Sequence, residues 1–381
     1  MIHKNPWLSM PRRRRDVVNA YSGIMKTQSL KKITFSNGRL TIPKGYKSHL
    51  NLRETEEAIK YIKDFFQTNL AKELNLTRVS APIVVLSRTG INDTLTGVEK
   101  PISFSVTNMN EKAEIVQSLA KWKRIALADY YFKYGEGLYT DMNAIRPDES
   151  LDNLHSIYVD QWDWERVIEK EERNLGLLKY IVRKIYKIIK ETEKVVCQRY
   201  EQISSPFLPD EIYFIHSEEL EEKYPNLSPQ EREDAICREK EVVFIIGIGA
   251  KLKNGKPHDE RAADYDDWST ETEEGKRGLN GDILVWYPLI DCAMELSSMG
   301  IRVDDESLLR QLKIKGELDK TNLYFHQKLL RGELPLTIGG GIGQSRLCMF
   351  FLRKAHIGEI QSSIWLDEMR TICKNNNIFL L

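Results

Sequence analysis

The stretch Leu52–Leu74, LRETEEAIKYIKDFFQTNLAKEL, places Ile59, Ile62, Phe66 and Leu70 on one side at helical spacing. Glu54, Glu56 and Glu57 stand at its start, where acids complement the positive end of a helix dipole. This predicts an amphipathic helix. VSAPIVVL, from Val79 to Leu86, then reads as a strand after a turn. From Arg166 to Tyr200 the pattern returns to helical spacing, with Leu178, Ile181, Ile185, Ile188 and Val195 forming the apolar stripe. EIYFIHS, EVVFIIGIG, DILVWYP and LPLTIGGGIG are rich in β-branched and aromatic residues and read as strands. Strands and helices do not alternate as regular βαβ units. The pattern therefore predicts an α+β fold with a largely antiparallel sheet flanked by helices, rather than a doubly wound parallel sheet.

Composition changes this picture little. The chain has 381 residues, 41% hydrophobic and 29% charged, which is ordinary for a globular protein. Lys+Arg and Asp+Glu are both 56, but the first fifty residues hold 11 basic residues and a single acid, Asp16. The remainder is acidic, which argues against nonspecific nucleic-acid binding over the whole surface. Residues 1–45, with PRRRR and no sustained apolar period, read as a basic extension: a solvated tail, an organelle-targeting segment or a nucleic-acid arm. Met25 is a conceivable second start. Residues 46–381 read as a single domain. Five scattered cysteines, none in a CxxC, indicate a reducing compartment, and a cytoplasmic location is expected. The seven histidines show no metal-ligand spacing. No apolar run approaches the ~20 residues that a membrane span needs.

The candidate chemistry lies in short polar segments. In IGGGIGQSRLCMFFL, Gly339, Gly341 and Gly343 alternate at a strand end, and Arg346 follows ahead of a helical apolar run. Alternate glycines leave one strand face bare, so a flat ring can lie on the backbone beside a fixed guanidinium. A dinucleotide-binding turn would need a further βαβ unit, and only 35 residues remain after Arg346. Packing of helix on strand is the other use of such glycines. In GEGLYTDMNAIRPDE, Arg146 ends a strand at a turn, where it can hold an α-phosphate or serve as a surface ion pair. HSIYVDQWDWERV alternates Asp160, Gln161 and Asp163 with Trp162 and Trp164, so Gln161 faces one side and Asp160 with Trp162 the other. RAADYDDWST supplies Arg261, Asp264, Asp266 and Asp267, GLNGDILVW supplies Asp282 just before a strand, and ELSSMGIRVD supplies Glu295, Ser297, Ser298 and Arg302 as an edge strand with polar groups. Such acids can hold a substrate ammonium or Mg²⁺ on phosphates, or form a solvated loop.

Taken in order, these segments, together with SLAKWKR at 118–124, resemble the ammonia-dependent asparagine synthetases (aspartate–ammonia ligases), relatives of the class II aminoacyl-tRNA synthetases. The resemblance covers residues 46–381 and does not extend to 1–45. It implies a class II catalytic domain, usually a homodimer, that joins L-aspartate and ammonia using ATP and Mg²⁺. It further implies that Arg146 is the second-motif arginine on the α-phosphate, and that Arg346 with Gly341 and Gly343 forms the third motif on ATP. Asp93, Ser118, Lys123, Gln161, Asp266 and Ser298 are implied on the aspartate side; Asp163, Arg261 and Asp282 on the nucleotide side. In GINDTLTGVEK the family commonly has Asn after the Asp, where this chain has Thr94, which alters the local hydrogen bonding.

The expected chemistry has two steps. The β-carboxylate of aspartate attacks the α-phosphorus, giving β-aspartyl-AMP and pyrophosphate; ammonia then displaces AMP. Ammonium must lose a proton first, and Asp93 and Asp266 are both candidates to accept it. Lys123 is expected to pair with a substrate carboxylate. The metal ligands are not assigned. No cysteine context suits glutamine hydrolysis, so free ammonia is the expected nitrogen donor. A tRNA-charging enzyme would need an anticodon-reading module, for which 45 residues are too short. A non-catalytic paralogue would be expected to have lost Arg146 and Arg346. Neither nucleic acid nor a membrane is an expected partner.

Overall fold

A computed structural model describes residues 30–35, 38–96, 99–203, 205–273 and 275–381. Helix α1, Leu52–Leu74, matches the sequence reading. Asn51 and Glu54 cap its start reciprocally, and Asn75, at φ 56°, ends it in the left-handed region. Its buried stripe runs through Ala58, Ile59, Ile62, Phe66 and Leu70. Helix α2 spans Ala120–Asp129. Helix α3 is Leu175–Arg199, shorter than the sequence suggested. Arg166 and Val167 still belong to a strand, and the helix cannot begin before Asn174, whose side chain caps Leu177. Its last buried aliphatic is Val196 rather than Val195.

The main sheet has eight strands: β1 (Leu76–Arg78), β2 (Gly137–Ile145), β3 (Tyr158–Val167), β4 (Tyr213–His216), β5 (Val242–Ile246), β6 (Asn280–Tyr287), β7 (Cys292–Ile301) and β8 (Thr337–Gly343). Their spatial order is β1-β2-β3-β8-β7-β6-β5-β4. Only the two outermost pairs, β1 with β2 and β4 with β5, are parallel. The expected antiparallel sheet is thus its six inner strands. Three local expectations shift. VSAPIVVL yields only Val84–Leu86 as strand, in a separate three-stranded sheet with Ser103–Val106 and Glu111–Ile115. Asp282 lies within β6, not ahead of it. The ELSSMGIRVD segment is no edge: β7 is paired on both sides, by β6 and β8.

One face of the sheet packs on α1 and α3. Trp162 and Trp164 of β3 join Ile62, Phe66, Ile181 and Ile185 in the largest apolar cluster, and Trp162 stacks on Phe66 with ring centroids 4.7 Å apart. Strand alternation sends Gln161, Asp163 and Glu165 to the opposite face. Asp160 stays on the helix side, as expected, where Lys63 of α1 pairs with it at 2.9 Å. Helix α4, Gln344–Phe351, leaves directly from the end of β8. Part of the presumed extension is built into the body: Leu30–Phe35 and Gly38–Pro43 form an antiparallel hairpin, and Leu40 and Ile42 are buried in the main cluster. The PRRRR stretch and Met25 lie outside the described residues.

Candidate active site

A cleft of about 520 Å³ lies against the sheet face that carries Gln161 and Asp163. That size suits a nucleotide-sized ligand. Of the residues that the family resemblance implies for the site, all border it except Asp93 and Asp282. Its floor is β8, and the three alternating glycines there are not equivalent. A methyl on Gly339 would fall on the Glu165 carboxylate. A methyl on Gly341 would crowd the Gln161 amide and sit 2.9 Å from Asp163 Oδ1. A methyl on Gly343 would meet nothing nearer than Arg346 Cβ, at 3.6 Å. The floor is therefore bare at Gly343, while Gly341 makes room for the Gln161 amide and Asp163, and Gly339 for the Glu165 carboxylate.

Two guanidinium groups face this floor. Arg146 follows β2 directly; its backbone N–H donates to Ile157 at 2.8 Å and its Nη2 to the Gln117 carbonyl at 3.5 Å. Its Nε is buried with no hydrogen-bond partner. Burial lowers its pKa, with Glu149 opposing and Arg346 adding to the shift. Arg346, in the first turn of α4, donates to the carbonyls of Glu295 (3.2 Å) and Leu154 (3.4 Å). Its nearest carboxylate is Glu295, at 3.8 Å. Neighbouring cations with unspent donors favour a polyanionic ligand.

Beneath the floor runs a dense ionic network. Lys123 Nζ lies 3.2 Å from Asp163 and 3.7 Å from Glu165, and donates to the carbonyls of Trp164 (3.1 Å) and Gly340 (3.0 Å). Arg302 of the β7 end pairs with Glu165 at 2.9 Å and with Asp266, and Thr337 donates to Glu165 at 2.7 Å. Burial acts to raise the Glu165 pKa, yet Arg302 and Lys123 hold it below the ordinary range. For Asp266 the balance is reversed: burial raises its pKa over the opposing Arg302 and Arg261 charges. With more acceptors than its three N–H groups, Lys123 is fixed in advance, and with it the orientation of Asp163.

Asp282 stands behind the cleft wall, bonded at 2.6 Å to Arg261, which also pairs with Asp259. Burial raises its pKa to about 7, with Arg261 opposing and Glu295 adding. Its Oδ1 is buried without a partner. Ser298 sits opposite Asp282 across the β6–β7 pair. Asp93 is also behind the lining, fully buried beside Lys121, whose backbone N–H reaches it at 3.4 Å. Burial raises its pKa to about 6, against Lys121 and with Asp264 adding. Its Oδ1 accepts no hydrogen bond. Asp264 and Asp267 do not reach the cleft: the first is held by Lys121 (3.1 Å) and His326 (3.0 Å), the second by Arg173 (2.8 Å). Ser118 borders the cleft from the turn ahead of α2.

Sequence reasoning passed over Glu165 and Lys121. The first had a signal, since it continues the Gln161–Asp163 alternation on the same strand face. A lysine inside a helix carries none, because it is ordinarily solvated. Among the described residues no group of three or more His, Cys, Asp or Glu is placed to hold a metal ion.

A family model for aspartate-ammonia ligase matches residues 53–377. The chain belongs to that family. An aspartate–ammonia ligase of Clostridium perfringens is 61% identical over 344 residues, covering 90% of this chain and 99% of the relative. That of Parabacteroides distasonis is 60% identical over 340 residues, covering 89% and 98%. The asparaginyl-tRNA synthetase of Pyrococcus horikoshii, solved with asparaginyl-adenylate, superposes with a TM-score of 0.61 at 16% identity, over 81% of this chain and 68% of that one. At that identity the likeness is one of fold, and it bears out the class II catalytic domain expected from the sequence. No helix among the described residues is long and apolar enough to cross a membrane.

Proposed function

We propose that this chain makes L-asparagine from L-aspartate and ammonia, activating the β-carboxylate with ATP through β-aspartyl-AMP and releasing AMP and pyrophosphate. The observation that carries this reading is the convergence of Arg146 and Arg346 on one cleft of a family-typical domain, with the Arg146 Nε buried and unpartnered. In the first step aspartate attacks the α-phosphorus while the two arginines offset the charge gathering on the phosphate oxygens. Gly343 forms the open floor for the adenine, with Arg346 beside it and Gly341 giving room to Gln161 and Asp163, and Asp163, Arg261 and Asp282 belong to the nucleotide side. Ser118, Lys123, Gln161, Asp266 and Ser298 form the aspartate side. Lys123, already held by Asp163, Glu165 and two carbonyls, serves that side by fixing Asp163 rather than by pairing with a substrate carboxylate.

Mg²⁺ would be held in the cleft by the nucleotide phosphates and Glu295, which borders the cleft with the Asp282 charge behind it. When bound, it neutralises charge on the phosphates.

In the second step ammonia attacks the activated carbonyl and AMP leaves. The proton goes to Asp93 or Asp266: Asp93 has an oxygen that accepts no hydrogen bond but lies behind the cleft lining, while Asp266 borders the cleft with its carboxylate held by Arg302. Ammonia as nitrogen donor is supported by the cysteines. Burial raises all five thiols, Cys197 to about 11 and Cys292, Cys348 and Cys373 to about 12, so none is an activated thiolate. A tRNA-charging role finds less support, since the chain spans 99% of a ligase relative but 68% of the synthetase. A homodimer is part of the reading: Ile83, Val84, Phe104 and Met109 of the three-stranded sheet region are exposed and apolar. A monomer in sedimentation at micromolar concentration would remove it.

The test supplies ATP, Mg²⁺ and aspartate with either ammonium or glutamine, and follows AMP, pyrophosphate and asparagine. Asparagine should form with ammonium; equal formation from ammonia-free glutamine sinks the donor assignment. Arg146→Ala should cut aspartate-dependent ATP–pyrophosphate exchange on the order of a thousand-fold with the fold retained. Near-normal exchange would take Arg146 out of its role.

A further inference from the structure

We propose that Asn153 is a positioning residue that makes the N-terminal hairpin part of the nucleotide site; this rests on the reading of the cleft as an ATP site. Asn153 is buried, and its side chain is spent entirely on the main chain of two other segments. Its Oδ1 accepts from the Thr41 N–H at 2.7 Å, and its Nδ2 donates to the carbonyls of Thr41 (2.9 Å) and Ala355 (2.7 Å). Its own carbonyl accepts from Ile357 at 2.8 Å. One amide thereby ties the strand Gly38–Pro43, the turn at 151–156 and the turn at 355–361.

Both turns build the cleft. Leu154, His155 and Ser156 border it from one, Ile357 and Gln361 from the other. The residue after Asn153 supplies the carbonyl to which Arg346 Nε donates. Asp152 stiffens the same turn by accepting from the Leu154 and His155 N–H groups at 2.8 and 2.9 Å. The hairpin holds the turn from behind, with Leu40 and Ile42 buried and the Arg39 N–H donating to Leu151 at 3.2 Å. A side chain with both N–H groups satisfied has one orientation, so it fixes the separation of the segments it joins. Without it the Leu154 carbonyl loses its support, and the Arg346 guanidinium loses one of the two carbonyls that aim it. The hairpin lies ahead of residue 53, where the family match begins.

The test is Asn153→Ala in the full chain. The dissociation constant for ATP, by calorimetry without aspartate, should rise on the order of ten-fold. In turnover the ATP KM should rise in parallel while the aspartate KM stays within about two-fold. Thr41→Pro removes only one of the bonds and should shift ATP affinity in the same direction by less; it serves where Asn153→Ala does not fold. Unchanged ATP affinity in a folded variant, or equal rises for ATP and aspartate, would overturn the proposal. Because the binding measurement needs no turnover, a parent chain that binds ATP but makes no asparagine would end the functional reading alone.

Discussion

Strands β3 and β8 lie side by side, in register from Gln161 opposite Gly343 to Val167 opposite Thr337, and they are near opposites in content. β3 carries large or charged side chains at almost every position, while β8 carries almost nothing on the cleft face. Each explains the other. Glu165 can sit fully buried between Arg302, Lys123 and Thr337 because Gly339 has no side chain in its way. Two residues along, Gly341 leaves Gln161 and Asp163 at the cleft floor, and at Gly343 the space opens towards Arg346. A glycine strand is thus a gradient, from packing at its start to ligand space at its end.

The largest break in this comparison comes from Gly339→Ala. The added methyl meets a buried carboxylate that cannot retreat without leaving its cations, so the cost should be about 4 kcal/mol of folding stability, read by urea unfolding. A loss below about 1 kcal/mol would mean that the network shifts freely, and that Gly339 is no packing requirement. Next in size is Gly343→Ala. Here the parent fold should survive with its melting temperature little changed, while the ATP KM rises on the order of ten-fold because the methyl enters ligand space. If stability fell as much as for Gly339→Ala and ATP binding were untouched, the gradient would be wrong.

Much of this was legible before the fold. Helical and strand periods located α1, most of α3 and the inner strands, because those elements bury one face each and the burial imprints the period. The alternation in β3 gave the sidedness of Gln161 and Asp160, and the glycine run marked the floor. What the period could not carry was partnership. Nothing local tells that Arg302, read as one of the polar groups of an edge strand, closes on Glu165, 137 positions away, or that Lys121 is buried rather than solvated. The start of α3 was misplaced because Arg166 and Val167 are compatible with either element, and only the Asn174 cap separates them. The hairpin was read as tail because a two-stranded ribbon that buries Leu40 and Ile42 has too short a pattern to register as a period.

The smallest prediction extends the comparison to two buried carboxylates, one with its charge fully met and one without. Glu165, on β3, is held below the ordinary carboxylate range by Arg302 and Lys123 despite burial, so its share of stability is present at neutral pH and fails only as acid protonates it. Asp93 has Lys121 near but a free oxygen, and burial raises its pKa to about 6. Its folded pKa exceeds its unfolded one, so its contribution is whole only below the unfolded pKa and is lost as pH rises through about 6. Asp93→Asn, which cannot ionise, should therefore gain stability relative to the parent as pH rises, by about 1 kcal/mol between roughly pH 5 and pH 8. Urea unfolding of both chains at the two pH values reads the difference directly. A stability gap that does not change with pH would mean that Asp93 keeps one protonation state throughout. A group that never changes its protonation near neutrality could not take the proton from ammonium, and that role would pass to Asp266.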